Sequence, residues 1–127
     1  MAVKIFRVIL PVSDVERAAK FYEEVLGFSG ERVSPGRHYF DCGGVILACF
    51  DPRADGDERD SVPNPDHVYF AVDDLEATFA RAGRAGCVRL EEKIETRPWG
   101  ERSFYIKDPF GNPICFVDAE TVFTGQA

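Results

Sequence analysis

The sequence predicts an α+β fold assembled from two tandem βαβββ modules. Three observations carry that prediction. The segment His67-Val68-Tyr69-Phe70-Ala71-Val72-Asp73-Asp74-Leu75-Glu76 repeats Arg7-Val8-Ile9-Leu10-Pro11-Val12-Ser13-Asp14-Val15-Glu16 position for position, which marks an internal duplication. Each copy then switches from a two-residue to a helical hydrophobic period. Each half also closes on a hairpin signal, Gly43-Gly44 in the first and Asp108-Pro109-Phe110-Gly111 in the second.

Taken in order, Val3 to Val12 alternates, with Phe6, Val8, Leu10 and Val12 on one face and Ile5, Arg7, Ile9 and Pro11 on the other. Ser13-Asp14-Val15-Glu16 reads as a capping box. Val15, Ala18, Ala19, Tyr22, Val25 and Leu26 follow at helical spacing, and Gly27 supplies the left-handed stop. His38 to Cys42 and Val45 to Phe50 are strands joined by a type I′ turn. That register sets Phe40 opposite Leu47 and His38 opposite Cys49, all four on one face. The polar, proline-containing stretch from Asp51 to Asp66 reads as an exposed linker between a first module of residues 3–50 and a second of residues 67–118.

In the second module Asp73 and Glu76 take the capping roles of Ser13 and Glu16. Leu75, Phe79 and Ala82 form the apolar stripe, and Gly86 ends the helix. A strand over Val88 to Ile94 precedes the tryptophan loop and the last hairpin. Ala48-Cys49-Phe50 aligns with Ile114-Cys115-Phe116.

At 127 residues the chain forms one domain with a modest core, and 45% hydrophobic with 29% charged residues is ordinary for a soluble protein. A net charge of −7 without a basic cluster argues against nucleic acid as a partner. No apolar run reaches the roughly 18 residues that a membrane crossing needs. The start of the chain lacks a signal-peptide layout, so a cytoplasmic location is expected, with Cys42, Cys49, Cys87 and Cys115 reduced and buried.

The string Trp99-Gly100…Arg102…Phe104…Asp108-Pro109-Phe110-Gly111-Asn112 resembles the C-terminal signature of the glyoxalase/bleomycin resistance/extradiol dioxygenase superfamily, most of all its bleomycin-resistance-like branch. Asp14, Phe21-Tyr22 and Leu26-Gly27-Phe28 match that family's N-terminal pattern. The resemblance implies a curved mixed sheet around a concave cavity, with helices on the convex side. It also implies a homodimer. With the uniformly apolar set Phe6/Val8/Leu10/Val12 and Val68/Phe70/Val72 placed under the helices, Arg7, Ile9, His67 and Tyr69 line the cavity. His38, Phe40, Leu47, Cys49, Trp99, Arg102, Tyr105 and Cys115 complete the expected ligand-binding set.

Metal-dependent members of the superfamily carry ligands at four positions, two per module. Those positions fall on Arg7, Cys49, His67 and Cys115. Arginine is always charged and cannot ligate. Without carboxylates, an oxygen-loving ion has too little to hold it. Cys49, Cys115, His67 and His38 are zinc-binding types, yet strand cysteines among apolar neighbours are commonly small hydrophobes. The expectation is therefore no metal and no cofactor. Asp41, Asp108 and Asp118, at hairpin or strand ends, read as turn-forming and solvated residues and not as paired acid/base groups. The chain is expected to bind a small molecule reversibly, stacking it on Trp99, Phe40 or Tyr69, and to sequester an antibiotic or an aromatic metabolite. The alternative is a metal-dependent lyase, isomerase or dioxygenase of the same superfamily; a third reading gives His67 a general-base role. Arg7 favours an anionic ligand and the acidic surface a cationic one, which leaves ligand charge open.

Overall fold

A computed structural model of the chain describes residues 2–125. The described residues form two α-helices and nine strands in the order β1 (Arg7–Pro11), α1 (Val15–Leu26), β2 (Glu31–Ser34), β3 (Arg37–Cys42), β4 (Val45–Phe50), β5 (Val68–Val72), α2 (Leu75–Ala85), β6 (Arg89–Leu90), β7 (Glu95–Thr96), β8 (Arg102–Lys107) and β9 (Pro113–Asp118), followed by a short 3₁₀ helix, Ala119–Thr121. Each half carries its own mixed sheet, ordered β1-β4-β3-β2 and β5-β9-β8-β6, with β7 paired to β8. In both, the opening strand runs parallel to the last strand of its half, while the remaining pairs are antiparallel.

The first hairpin has the expected register, His38 with Cys49 and Phe40 with Leu47, and both turn glycines take positive φ, 67° and 94°. The helix starts differ by one residue from the expected capping boxes. Asp14, not Ser13, accepts the Arg17 amide at 3.1 Å, and Asp74, not Asp73, accepts that of Ala77 at 3.0 Å. A carboxylate suits this place because it also meets the positive end of the helix dipole. Gly27 and Gly86 end the helices in the left-handed region as expected. The stretch Ser29 to Arg37, between α1 and the first hairpin, contains the additional strand β2. Conversely, the strand expected over Val88 to Ile94 survives only as Arg89–Leu90.

Both helices pack on one side of their sheets. Tyr22 of α1 meets Phe40 at 6.3 Å between ring centroids, and Phe79 of α2 meets Phe104 at 5.0 Å, edge-on. Phe70, Phe116 and Phe104 stack in a row across the second sheet. The core is continuous between the halves, from Leu10, Phe21 and Phe40 to Leu75, Phe104 and Phe116.

One polar node joins the halves through that core. Asp108, fully buried, accepts the Tyr22 hydroxyl at 2.7 Å, the Phe110 and Asn112 amides at 2.9 and 2.8 Å, and the Asn112 side-chain amide at 3.0 Å. Asn112 also donates to the Pro11 carbonyl at 2.6 Å and accepts the Asn64 amide at 2.8 Å. Burial, then the Asp108 charge, pushes the Tyr22 phenol well above its ordinary range, so it remains a donor. The Asp-Pro-Phe-Gly-Asn motif is thus a turn and a clamp together.

Removing one donor from a buried carboxylate costs about 1–3 kcal/mol, so Tyr22→Phe is expected to lose that much stability in urea unfolding. Asn112→Ala frees several buried partners at once and is expected to cost about 3 kcal/mol or more. Losses within about 0.5 kcal/mol for both would show that the node does not tie the halves.

Candidate functional site

Strand alternation gives each sheet a helix side and an open face, and the register decides which residue lies where. On the open face of the first sheet, Ile9, Ala48 and Tyr39 form a row across β1, β4 and β3. On the second, Tyr69, Cys115 and Tyr105 form the matching row across β5, β9 and β8. Arg7 and His67 stand two residues before Ile9 and Tyr69, on the same faces.

Of the residues expected in the site, Arg7, Ile9, His67, Tyr69, Tyr105 and Cys115 lie on the open faces, and Trp99 stands beside Tyr69. The other five lie elsewhere. Phe40, Leu47 and Cys49 are fully or almost fully buried in the core under α1. His38 lies on that same helix side against Phe40, 5.2 Å between rings. Arg102 points to α2, where it pairs with Glu76 and, at 2.7 Å, with Asp118. The hairpin register was legible, but the side of the sheet that faces the helix depends on tertiary packing. The partner of Cys115 in the first module is Ala48 and not Cys49, a slip of one residue that reverses the face. Nor is the alternating apolar set wholly buried: Leu10 and Val12 are, while Phe6 is 60% exposed and Val68, Phe70 and Val72 are half-buried along a free edge.

Two residues absent from the expected set shape the second open face. Arg97 pairs with Glu91 at 2.7 Å, donates to the Ser103 hydroxyl at 2.8 Å, and stacks its guanidinium 4.6 Å over the Tyr105 ring. Glu91 accepts the Tyr105 amide at 2.9 Å. His67 meets Tyr105 edge-on at 4.9 Å. Arg97 comes from an irregular segment, and Glu91 from the expected strand over Val88 to Ile94 that forms only at Arg89–Leu90, so neither side chain's direction could be read from alternation. On the first sheet the missed residue is Tyr39, the neighbour of Phe40 and of opposite orientation.

Burial raises the Cys115 thiol to about 11, with Ser103 and Arg97 pulling the other way, and raises Cys49 to about 12. Neither is a thiolate near neutral pH. All four cysteines are free. The four positions that the family resemblance assigns to metal ligands, with Ala48 in place of Cys49 by strand pairing, present a guanidinium (Arg7), a methyl (Ala48), an imidazole (His67) and a buried protonated thiol (Cys115). This donor set does not fit a divalent cation. Among the described residues no group of three or more His, Cys, Asp or Glu side chains is gathered closely enough to hold one.

One hollow adjoins the second open face and a larger one lies on the helix side. An open groove of about 430 Å³ is bounded by Tyr69, Trp99, Glu101, Val117, Val122 and Phe123. Glu101 bridges its wall, accepting the Trp99 indole N–H at 2.7 Å and the Phe123 amide at 2.9 Å. The larger hollow, about 740 Å³, is a wedge between β1 and β5 on the helix side, lined by Ile5, Val8, Phe28, Val68 and Phe70 among others. Its lining is mostly apolar, with Asp41, Asp73, Asp74, Thr78 and Arg81 among it, and it takes in Tyr69 but neither Arg7 nor His67; the open faces, where those two groups meet aromatic walls, make the better candidate site.

The architecture is that of a duplicated α+β module presenting two open sheet faces. Residues 4–116 match the Glyoxalase/Bleomycin resistance protein/Dioxygenase superfamily, and the chain belongs to it. It is 36% identical over 99 residues to the protein CFP32 of Mycobacterium tuberculosis, covering 74% of this chain but 36% of that one. The chain thus spans about a third of the length of the mycobacterial relative. It is 30% identical to YwbC of Bacillus subtilis, across 91% of this chain and 98% of the relative. Among solved structures, a lactoylglutathione lyase from Agrobacterium tumefaciens superposes with a TM-score of 0.71 at 25% identity, covering 94% of this chain and 96% of that one. A glyoxalase/bleomycin resistance protein from Albidiferax ferrireducens gives 0.75 at 23% identity, covering 89% and 96%. No helix among the described residues is long and apolar enough to cross a membrane.

His38 yields a pH prediction. Both its ring nitrogens are shielded from solvent without a hydrogen-bond partner, although the residue as a whole is only half-buried. Desolvation, then the nearby Arg32 charge, lowers its pKa from 6.5. As the pH falls through 6.5 the unfolded chain takes up a proton that the folded chain refuses, so stability falls on acidification. His38→Phe is expected to flatten the fall in unfolding free energy between neutral and mildly acidic pH, relative to wild type. An identical slope for the two proteins would refute this.

Proposed function

We propose that the chain is a metal-free small-molecule-binding protein of the glyoxalase/bleomycin resistance type, acting in the cytoplasm to sequester an antibiotic or an aromatic metabolite. The observation that supports this reading is the donor set at the four equivalent positions. An arginine repels a cation, an alanine offers nothing, and a thiol raised to about 11 must lose a costly proton before it can ligate. The same faces suit recognition of a flat molecule. Tyr69 is 60% exposed and Trp99 is 49% exposed, and each offers a large rigid ring.

A second reading, a metal-dependent lyase, draws on the likeness to the Agrobacterium lactoylglutathione lyase. Elemental analysis of tag-free protein separates the two. Sub-stoichiometric Zn, Ni, Mn and Fe, and a melting temperature unmoved by EDTA, are expected for the metal-free protein. One bound ion per chain with loss of stability on chelation would establish the second reading. A thermal-shift screen of cationic glycopeptides, aromatic acids and other metabolites is expected to find a ligand that raises the melting temperature by about 10 °C at a hundredfold excess over its Kd.

The working form in this reading is a homodimer. Among the described residues the outer edges of β1 and β5 pair with no other strand. Ile5 and Phe6, 70% and 60% exposed, lie at the β1 edge. Unpaired edges flanked by exposed apolar residues favour association. Light scattering is expected to report twice the 14.2 kDa chain mass; a monomer at micromolar concentration would remove the dimer.

A further inference from the structure

Resting on the small-molecule-binding reading, we infer that the open face of the first sheet selects planar carboxylates, with Arg7 as the anion receptor and Tyr39 as the stacking wall. The Arg7 guanidinium lies 4.6 Å from the Phe6 ring centroid and 5.3 Å from that of Tyr39. β4 runs between β1 and β3, pairing Ile46 with Arg7 and Ala48 with Tyr39, and the small Ala48 side chain leaves room for the two to meet across it. Further along the same face Arg37 stacks 4.2 Å over Phe50, with Arg59 5.7 Å from that ring. A chain of this length is expected to hold about two arginine–ring contacts. The described residues hold five, and three of them, Arg7–Tyr39, Arg37–Phe50 and Arg59–Phe50, fall on this face.

The arginines differ in what neutralises them. Arg37 faces Asp55 at 3.7 Å and Arg59 faces Asp57 at 3.5 Å. Arg97, on the other sheet, is tied to Glu91. Arg7 has no carboxylate partner among the described residues. In a chain of net charge −7, an arginine that stands unpaired amid aromatic rings is free to take an anion from solution. A guanidinium stacked on rings keeps its N–H edge open, and that edge matches a carboxylate in a two-point contact. The Tyr39 ring and the Ile9 side chain beside it give the apolar surface that a flat hydrocarbon group needs. Between the acidic surface and Arg7, the direct contact decides, since an ion in contact outweighs a field screened within about 8–10 Å.

The test is an NMR titration of the full chain with three matched probes: benzoate, benzyl alcohol and benzylammonium. Benzoate is expected to shift the amides of β1 and β3 around Arg7 and Tyr39 saturably, with the neutral probe weaker and the cation weakest. Arg7→Gln is expected to weaken benzoate by about tenfold or more, because it removes a charge-assisted contact. Arg7→Lys, which keeps the charge and loses the fork, should fall between. Equal affinity for benzylammonium, unchanged benzoate affinity in Arg7→Gln, or no shift on β1 and β3 up to tens of millimolar would overturn the inference. Saturable binding confined to the Tyr69–Trp99 groove would overturn it too, while leaving the binding reading intact. A thermal screen with no hit in any chemical class would remove that broader reading as well.

Discussion

The arrangement of both faces depends on one buried carboxylate. Asp108 lies in a turn of the second half but is satisfied in part by Tyr22 from the first, and Asn112 beside it reaches the Pro11 carbonyl at the end of β1. A charge taken out of water is tolerated only where hydrogen bonds replace hydration. Four donors meet Asp108, which satisfies that condition. The same bonds set the end of β1 against the β8–β9 turn, so the node that makes the carboxylate tolerable also sets one half against the other. Arg81 adds a second tie between the helices, donating to the Val25 carbonyl at 3.1 Å.

Much of this was legible from residues alone, and the failures have a common cause. The duplication, both hairpins and the glycine helix stops rest on local chemistry, and local chemistry places them correctly. Parity is another matter. An alternating strand declares that two faces exist but not which one a helix will cover, and His38, Phe40, Leu47 and Cys49 all went to the side opposite the one expected. The alignment of Cys49 with Cys115 followed residue identity, whereas backbone pairing matches Cys115 with Ala48. Arg97 and Glu91 were invisible for a different reason. Arg97 sits in a segment with no period and Glu91 just past a strand that ends at Leu90 instead of Ile94, and only the folded chain brings them to Tyr105.

Electrostatics then distinguishes two otherwise matching halves. The first open face carries guanidinium groups stacked on aromatic rings. The second buries a thiol beneath Tyr105 and holds its arginine to a carboxylate. Stacking lets an arginine keep its charge on an apolar surface, because its flat faces are weakly hydrated while its edge still seeks an anion. Burial works the other way on the cysteines, holding them neutral as small hydrophobes. The outcome is a scaffold whose symmetry is in the backbone and whose chemistry is not.

The matching rows Ile9–Ala48–Tyr39 and Tyr69–Cys115–Tyr105 have a consequence for how such a chain diversifies. Each row belongs to a separate hydrogen-bonded ladder, and no strand is shared between them. Replacing a side chain on one ladder leaves the other's geometry untouched, so an ancestral pair of identical halves can drift apart one at a time, retaining an inherited preference in one while acquiring a new one in its sibling.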